Sequence, residues 1–256
     1  MIDIHCHILF EADDGAFDFA ETMEMCAIAE EDGVTAIIAT PHYMGGENAN
    51  IDMEHKLSLI NAELHSRLAN LVVLPGNEIY LALDTYHRLE QGQCCSLNHS
   101  RYVLVEFSMM EIPKFVPDAL YNLRTKGFVP IIAHPERNGQ IMEKPQIIYD
   151  FVMEGCLVQI NSTSLTGLSG KEAKRTAELL LKHKMVHFIA SDAHSSKHRI
   201  PVLSQALSCA DRIGGQGVGE KLLHVNPKAV IDDVEIKIEE PMKLKNARSF
   251  LQMFRK

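Results

Sequence analysis

Residues 1–15 read MIDIHCHILFEADDG. Ile2, Ile4 and Ile8 mark a buried strand, yet the strand carries His5 and His7 and is followed by Asp13 and Asp14. Side chains alternate along a strand, so His5 and His7 share one face and Cys6 takes the other. Two imidazoles on one face can chelate a metal. With 13 histidines in the chain an H-x-H pair is weak by itself, and two half-buried structural histidines explain it as well. The rest of the chain has to decide.

Six further apolar, β-branched runs follow: VTAIIATPH (34–42), LVVLPGNEI (71–79), RYVLVEF (101–107), VPIIAHPE (129–136), CLVQINS (156–162) and VHFIASDAH (186–194). Helical patterns lie between them at 19–33, 53–70, 117–127, 145–155 and 170–184, and three of these end in glycine, a common helix terminator. Strands this apolar imply a parallel sheet covered on both faces, and regular β–α alternation over this length suggests a barrel before an open sheet. The polar residues sit at the C-terminal end of each run: His5 and His7, His42, Glu78, Glu106, His134, Asn161, then Asp192 and His194. In a parallel barrel those ends open on one face, where active sites form.

Composition bounds the function. The 256 residues are 46% hydrophobic and 23% charged, enough for one substantial core. A net charge of −9 argues against a general nucleic-acid-binding surface. No leader pattern is visible at the N-terminus and no apolar run reaches membrane-spanning length. Six scattered cysteines make a poor disulfide scaffold for a chain this long, so a reducing cytoplasm is expected. Residues 1–240 read as one barrel domain. Residues 241–256 read as a basic, weakly amphipathic tail, either a frayed terminal helix or a contact with a kinase or an anionic membrane surface.

Glu78 and Glu106, each alone, read as solvated strand-end carboxylates. Together with six histidines or aspartates of the other strand ends and one aspartate of the Asp13–Asp14 pair, they crowd one mouth. So many such groups share a cavity only if cations compensate their desolvation and repulsion. The set offers nitrogen and carboxylate oxygen and no thiolate, which favours Mn, Fe, Co or Zn in a two- or three-metal site. Clustered divalent ions point to hydrolysis.

This order of residues resembles the PHP (polymerase and histidinol phosphatase) superfamily. The stretches MIDIHCHI…DDG, IIATPH, LPGNEIY, SLNHSRYVLVEF, PIIAHPERN and HFIASDAH resemble the PHP-type bacterial tyrosine-protein phosphatases of capsule and exopolysaccharide operons. The resemblance implies a distorted (β/α)7 TIM-like barrel, usually manganese-activated, that hydrolyses phosphotyrosine on a partner tyrosine kinase through a metal-bridging hydroxide. It implies three ions: one held by His5, His7, Glu78 and Asp192; a second shared by Glu78 with Glu106 and His134; a third by Asp14, His42 and His194. Asp14 is chosen because it directly precedes Gly15, as in the family motif; an inward-pointing Asp13 would move the role by one residue.

Arg137, in HPER, has the planar fork that suits a phosphate monoester, although a strand-end surface arginine is the plainer reading without the metal cluster. Arg199 is a second phosphate-binding residue by resemblance. Phenolate is a good leaving group, with a pKa of about 10, so a strong general acid is not essential.

Two motifs compete. Cys95 to Arg101 has the C-x5-R spacing of cysteine-dependent tyrosine phosphatases, but it runs into a strand where that signature needs a helix N-terminus. GGQGVG (214–219) lacks the preceding strand and the Lys-Ser/Thr of a phosphate loop, and reads as a turn. Three functions follow: a phosphotyrosine-protein phosphatase; a PHP phosphatase of a small phosphomonoester such as histidinol phosphate or a nucleotide; and a silent barrel that scaffolds a kinase, which the intact ligand set argues against.

Overall fold

The computed structural model describes residues 1–46 and 52–244. Among the described residues nine strands, all paired in parallel, form two sheets. The first contains β1 (Ile2–Cys6), β2 (Ala36–Ala39) and β4 (Val72–Pro75) in the order β1-β2-β4. The second contains β3 (His42–Tyr43), β5 (Glu78–Tyr80), β6 (Tyr102–Glu106), β7 (Val129–Ala133), β8 (Leu157–Asn161) and β9 (Phe188–Ala190), in that order.

One continuous seven-stranded sheet is the expectation, and two sheets are found. The difference arises in the second and third runs, each of which breaks into two strands. Pro41 has no N–H to continue the ladder after β2. Gly76 and Asn77 interrupt the partner run, and the Asn77 side chain takes over part of the pairing: its Nδ2 donates to Pro41 O at 3.0 Å while its Oδ1 accepts from Cys95 N at 2.9 Å. The chain just after β9 meets β1 through an isolated bridge, Cys6 to Ala193, with Asp192 N donating to His5 O and His7 N to Ala193 O, both at 2.8 Å.

Helices cover the sheets where the apolar periodicity places them: Phe19–Glu31, Met53–Ser66, Val116–Thr125, Gln146–Met153 and Lys171–Lys182. Asp18 caps the first, its carboxylate accepting from Glu21 N at 2.8 Å. The helix Ser204–Gly214, which the sequence pattern did not mark, follows β9 in the chain and packs against the helices Ser162–Thr166 and Lys171–Lys182. Burial separates two apolar layers. Ile2, Ile4, Ala36, Ile38, Tyr102, Leu104, Ile131, Leu157 and Phe188 fill the inner one. Their alternate neighbours, such as Ile37, Val103, Val105, Ile132 and Val158, face the helices. Among the described residues no helix is long and apolar enough to cross a membrane. The basic tail lies mostly at 245–256, outside the described residues.

Candidate metal centre

The inner layer carries on into the site. Residues 157, 159 and 161 of β8 keep one side, as do 188 and 190 of β9 with Asp192 beyond them, so Gln159, Asn161 and Asp192 follow apolar residues of the inner layer. β1 needs a correction to do the same. Ile2 and Ile4 face inward, and simple alternation would bring Cys6 after them. A register irregularity between Asp3 and Cys6 shifts the phase. Cys6 and Ile8 then join the outer layer and His5 and His7 turn to the site. Two other site residues stand at positive φ, His134 at 31° and Asp192 at 53°. For non-glycine residues this conformation costs energy, and it recurs where surrounding structure fixes a functional side chain.

The side chains converge closely. Glu78, fully buried at the start of β5, is their hub. Its Oε1 lies 2.7 Å from His134 Nε2. Its Oε2 lies 3.3 Å from His5 Nε2, 3.3 Å from His7 Nε2 and 3.0 Å from His42 Nδ1. Glu106 Oε1 is 3.2 Å from His42 Nδ1. Asp192 Oδ1 stands 3.5 Å from both His5 Nε2 and His7 Nε2, and Asp14 Oδ1 is 3.5 Å from His42 Nε2 and from His194 Nε2.

Four groups in this cluster bring ligand atoms near enough to hold an ion: His5, His7 and Asp192; His5, Glu78 and His134; His42, Glu78 and Glu106; and His7, Asp14, His42 and His194. All nine residues singled out in the sequence therefore come together. Their grouping differs from the three sets the resemblance implies: Glu106 meets His42 and Glu78 instead of His134, His134 meets His5 and Glu78, His7 also joins Asp14, His42 and His194, and Glu78 is not grouped with His5, His7 and Asp192.

The adjacent aspartates have separate tasks. Asp13 Oδ2 pairs with His7 Nδ1 at 2.7 Å and accepts from His42 N at 2.8 Å, while its Oδ1 accepts from Gly15 N at 2.9 Å. Asp14 is 67% exposed and reaches over His42 and His194. Gly15 permits the tight loop: a Cβ there would fall 2.6 Å from His7 Cβ and nearer still to the His7 carbonyl.

Two donor atoms of the cluster, Glu78 Oε2 and His42 Nδ1, are buried without a hydrogen bond. Such atoms are costly unless something satisfies them, and here they face other nitrogen and oxygen donors. A divalent cation fits that arrangement. The histidines and carboxylates of the cluster also shift one another toward their charged forms. Burial disfavours the imidazolium of His5, but Glu78 and Asp192 outweigh it and raise its pKa to about 9. Burial likewise opposes ionisation of Asp13, but His7 and the backbone N–H groups of His42 and Gly15 bring it down to about 2. Glu78 sits well below the usual carboxylate range because His5 and His134 overcome its desolvation.

Both arginines border this cluster. Arg137 Nη1 donates to Asp192 Oδ2 at 2.9 Å, and Arg199 Nη2 lies 2.6 Å from the same oxygen. They are 33% and 42% exposed, so each guanidinium rests with one edge on the buried carboxylate and another toward solvent.

The competing motifs lie elsewhere. Cys95 precedes the N-terminal end of β6, away from the ligands, and burial pushes its thiol up to about 12. Arg101 pairs with Asp233 at 2.9 Å. In 214–219 the Gly219 N–H is already taken by Asp211 Oδ1 at 2.7 Å, so a carboxylate stands where an anion would bind. All six cysteines are free thiols.

Sequence reasoning placed Asp13 and Asn161 near the mouth without the roles they have here, and it missed Gln159. For Gln159 and Asn161 the signal was present: residues of one parity on the sixth run, ending at the same mouth.

Known proteins are similar to this chain in sequence and fold. The family model described as capsular polysaccharide synthesis, CpsB/CapC, matches residues 1–232. The tyrosine-protein phosphatase YwqE of Bacillus subtilis (strain 168) is 36% identical over 252 residues, 98% of this chain and 99% of that protein. A structure from a study of YwqE from Bacillus subtilis and CpsB from Streptococcus pneumoniae, described as metal-dependent tyrosine phosphatases, superposes with a TM-score of 0.91 at 37% identity. It covers 96% of this chain and 100% of that one. Histidinol phosphate phosphatase from Lactococcus lactis, complexed with zinc, L-histidinol and phosphate, shares the fold at a TM-score of 0.57 and 16% identity, covering 83% and 93% of the two chains. The chain belongs to the CpsB/CapC family of capsular polysaccharide synthesis.

Proposed function

We propose that this chain is a metal-dependent protein-tyrosine phosphatase. The observation that carries the reading is Glu78 Oε2, buried without a hydrogen bond among nitrogens of His5, His7 and His42. The similarity to YwqE over nearly the full length supports it. His5, His7, Asp14, His42, Glu78, Glu106, His134, Asp192 and His194 would hold two or three divalent ions, manganese being our choice. Bound ions would lower the pKa of water to supply a nucleophile and offset charge on the phosphoryl oxygens.

The chain's own residues do the rest. Asp13 fixes the ring of His7, as a carboxylate behind a ligating histidine does. Arg137 and Arg199 bind the phosphate oxygens on the solvent side of Asp192, and their fixed positions favour the charge that builds up during transfer. The departing phenolate leaves unassisted more readily than a serine alkoxide, because its pKa is only about 10.

We further infer that the two sheets close through the Cys6–Ala193 bridge as a distorted (β/α)7 barrel, and that residues 1–240 form one catalytic unit. The substrate is a phosphotyrosine protein, for which a bacterial tyrosine kinase governing polysaccharide synthesis is our choice, and the setting is the cytoplasm. The basic tail at 241–256 is the segment for any contact with that kinase or the membrane surface.

A substrate panel tests this. Comparing kcat/KM for phosphotyrosine peptides, phosphoserine peptides and histidinol phosphate should favour phosphotyrosine peptides. A clear advantage for histidinol phosphate would replace the reading with a small-phosphomonoester phosphatase.

A further inference from the structure

β8 sends two buried amide side chains, Gln159 and Asn161, to the metal-centre end of the sheet. Their hydrogen bonds form a directed chain. His5 Nδ1 lies 2.9 Å from Gln159 Oε1; Gln159 Nε2 donates to Asn161 Oδ1 at 2.9 Å; Asn161 Nδ2 donates to Asp192 Oδ2 at 2.6 Å. Asn161 is anchored from behind, its backbone N–H donating to Glu136 Oε1 at 2.9 Å.

The direction follows from one fixed end. Asp192, contacted by Arg137 and Arg199, is a carboxylate and only accepts. Asn161 therefore turns its NH2 to Asp192 and its oxygen to Gln159. That oxygen in turn requires the NH2 of Gln159, so Gln159 aims its own oxygen at His5. An oxygen facing Nδ1 requires a proton on Nδ1. With Nδ1 holding its proton, Nε2 is the nitrogen left to give up a proton to a cation, and it points toward Glu78 and Asp192.

We propose that Gln159 and Asn161 are positioning residues that set the tautomer of His5 from Asp192, so that one ligand of the centre dictates the state of another through two neutral amides. The inference rests on the metal-centre reading above. It also gives the paired histidines different supports, since His7 is backed by the carboxylate of Asp13 and His5 by an amide. Fixing the first histidine with a neutral group adds no negative charge to a cluster already rich in carboxylates.

The test is metal affinity, measured without turnover. Chelator-stripped protein is titrated with Mn²⁺, and separately with Zn²⁺, against a competing indicator. Gln159→Met keeps the length and loses the acceptor, and should weaken the tightest site about 10- to 100-fold. Gln159→Glu still accepts from Nδ1–H and, when protonated, still donates to Asn161; it should stay within a few-fold of wild type. Asn161→Leu should resemble Gln159→Met. The double variant, Gln159→Met with Asn161→Leu, should lose little more than either single one, because both break one chain.

Wild-type affinity in Gln159→Met, equal losses in Gln159→Met and Gln159→Glu, or losses that multiply in the double variant would overturn the proposal. Thermal melting of the metal-free proteins identifies a variant that has not folded. If Gln159→Met is that variant, equal affinities of Gln159→Glu and Asn161→Leu overturn the proposal instead. A wild-type protein that binds neither metal overturns the function reading itself, which the same titration distinguishes.

Discussion

Asp13 Oδ2 lies 2.7 Å from His7 Nδ1, and the same oxygen accepts the backbone N–H of His42. One carboxylate thus ties the H-x-H strand to the start of β3 and sets a proton on the outer nitrogen of His7. Asp13→Ala removes all of this while leaving Asp14 in place. Metal affinity should fall about 10- to 100-fold, the usual effect of losing the group behind a ligating histidine. Equilibrium dialysis gives the answer; unchanged affinity would return Asp13 to the role of a loop residue.

Gly15 is the next test of the same loop. Its added Cβ would collide with His7 backbone and side chain, neither of which can yield cheaply. Gly15→Ala should cost about 1–3 kcal/mol of stability, as overpacking does. Urea unfolding of the metal-free protein measures it, and a value near zero would mean the loop is free to move away.

Arg137→Ala should lower kcat by about 10² with metal content retained, since the lost contact matters most as charge develops on phosphate. Arg137→Lys should recover only part, because a point charge cannot reproduce the planar fork. Elemental analysis beside the kinetics separates this from metal loss. Normal kinetics at normal metal content would take Arg137 out of the reaction.

Much of the site was legible in the sequence because strand alternation and the parallel arrangement leave little choice. Once the runs ending in His5–His7, His42, Glu78, Glu106, His134 and Asp192–His194 are strands of parallel sheets, their ends meet. What was hidden depends on local backbone. The shift in register within β1 depends on neighbouring strands, and the positive φ of His134 and Asp192 is imposed by tertiary packing. Pro41 and Gly76 stand in the sequence, but nothing there says that the Asn77 side chain would bridge the break they cause. Asp13 and Asp14 are the same chemical group one residue apart, and only the folded loop tells them apart.

His187 sets a pH limit on stability away from the metal centre. Burial, with Lys221 nearby, pushes its pKa down to about 3, and its Nδ1 accepts from Val158 N at 3.1 Å. An unfolded chain takes up this proton near pH 6.5, whereas the fold refuses it until about pH 3. The neutral ring's contribution is therefore complete above pH 6.5 and declines as pH falls, by about 1.4 kcal/mol per pH unit. His187→Gln keeps an acceptor without a titrating group, so its stability should fall less steeply over that window. Parallel curves for the two proteins would exclude His187 as the cause.

Metal dependence is the central claim, and one measurement addresses it most directly: the rate on a phosphotyrosine peptide of wild type stripped with EDTA, before and after manganese is restored, beside Cys95→Ser. The stripped enzyme should be inactive, manganese should return the rate, and Cys95→Ser should remain within a few-fold of wild type, because its thiol is held protonated and away from the cluster. Full activity in verified metal-free protein, or an inactive Cys95→Ser variant that still carries its full metal complement, would contradict the account.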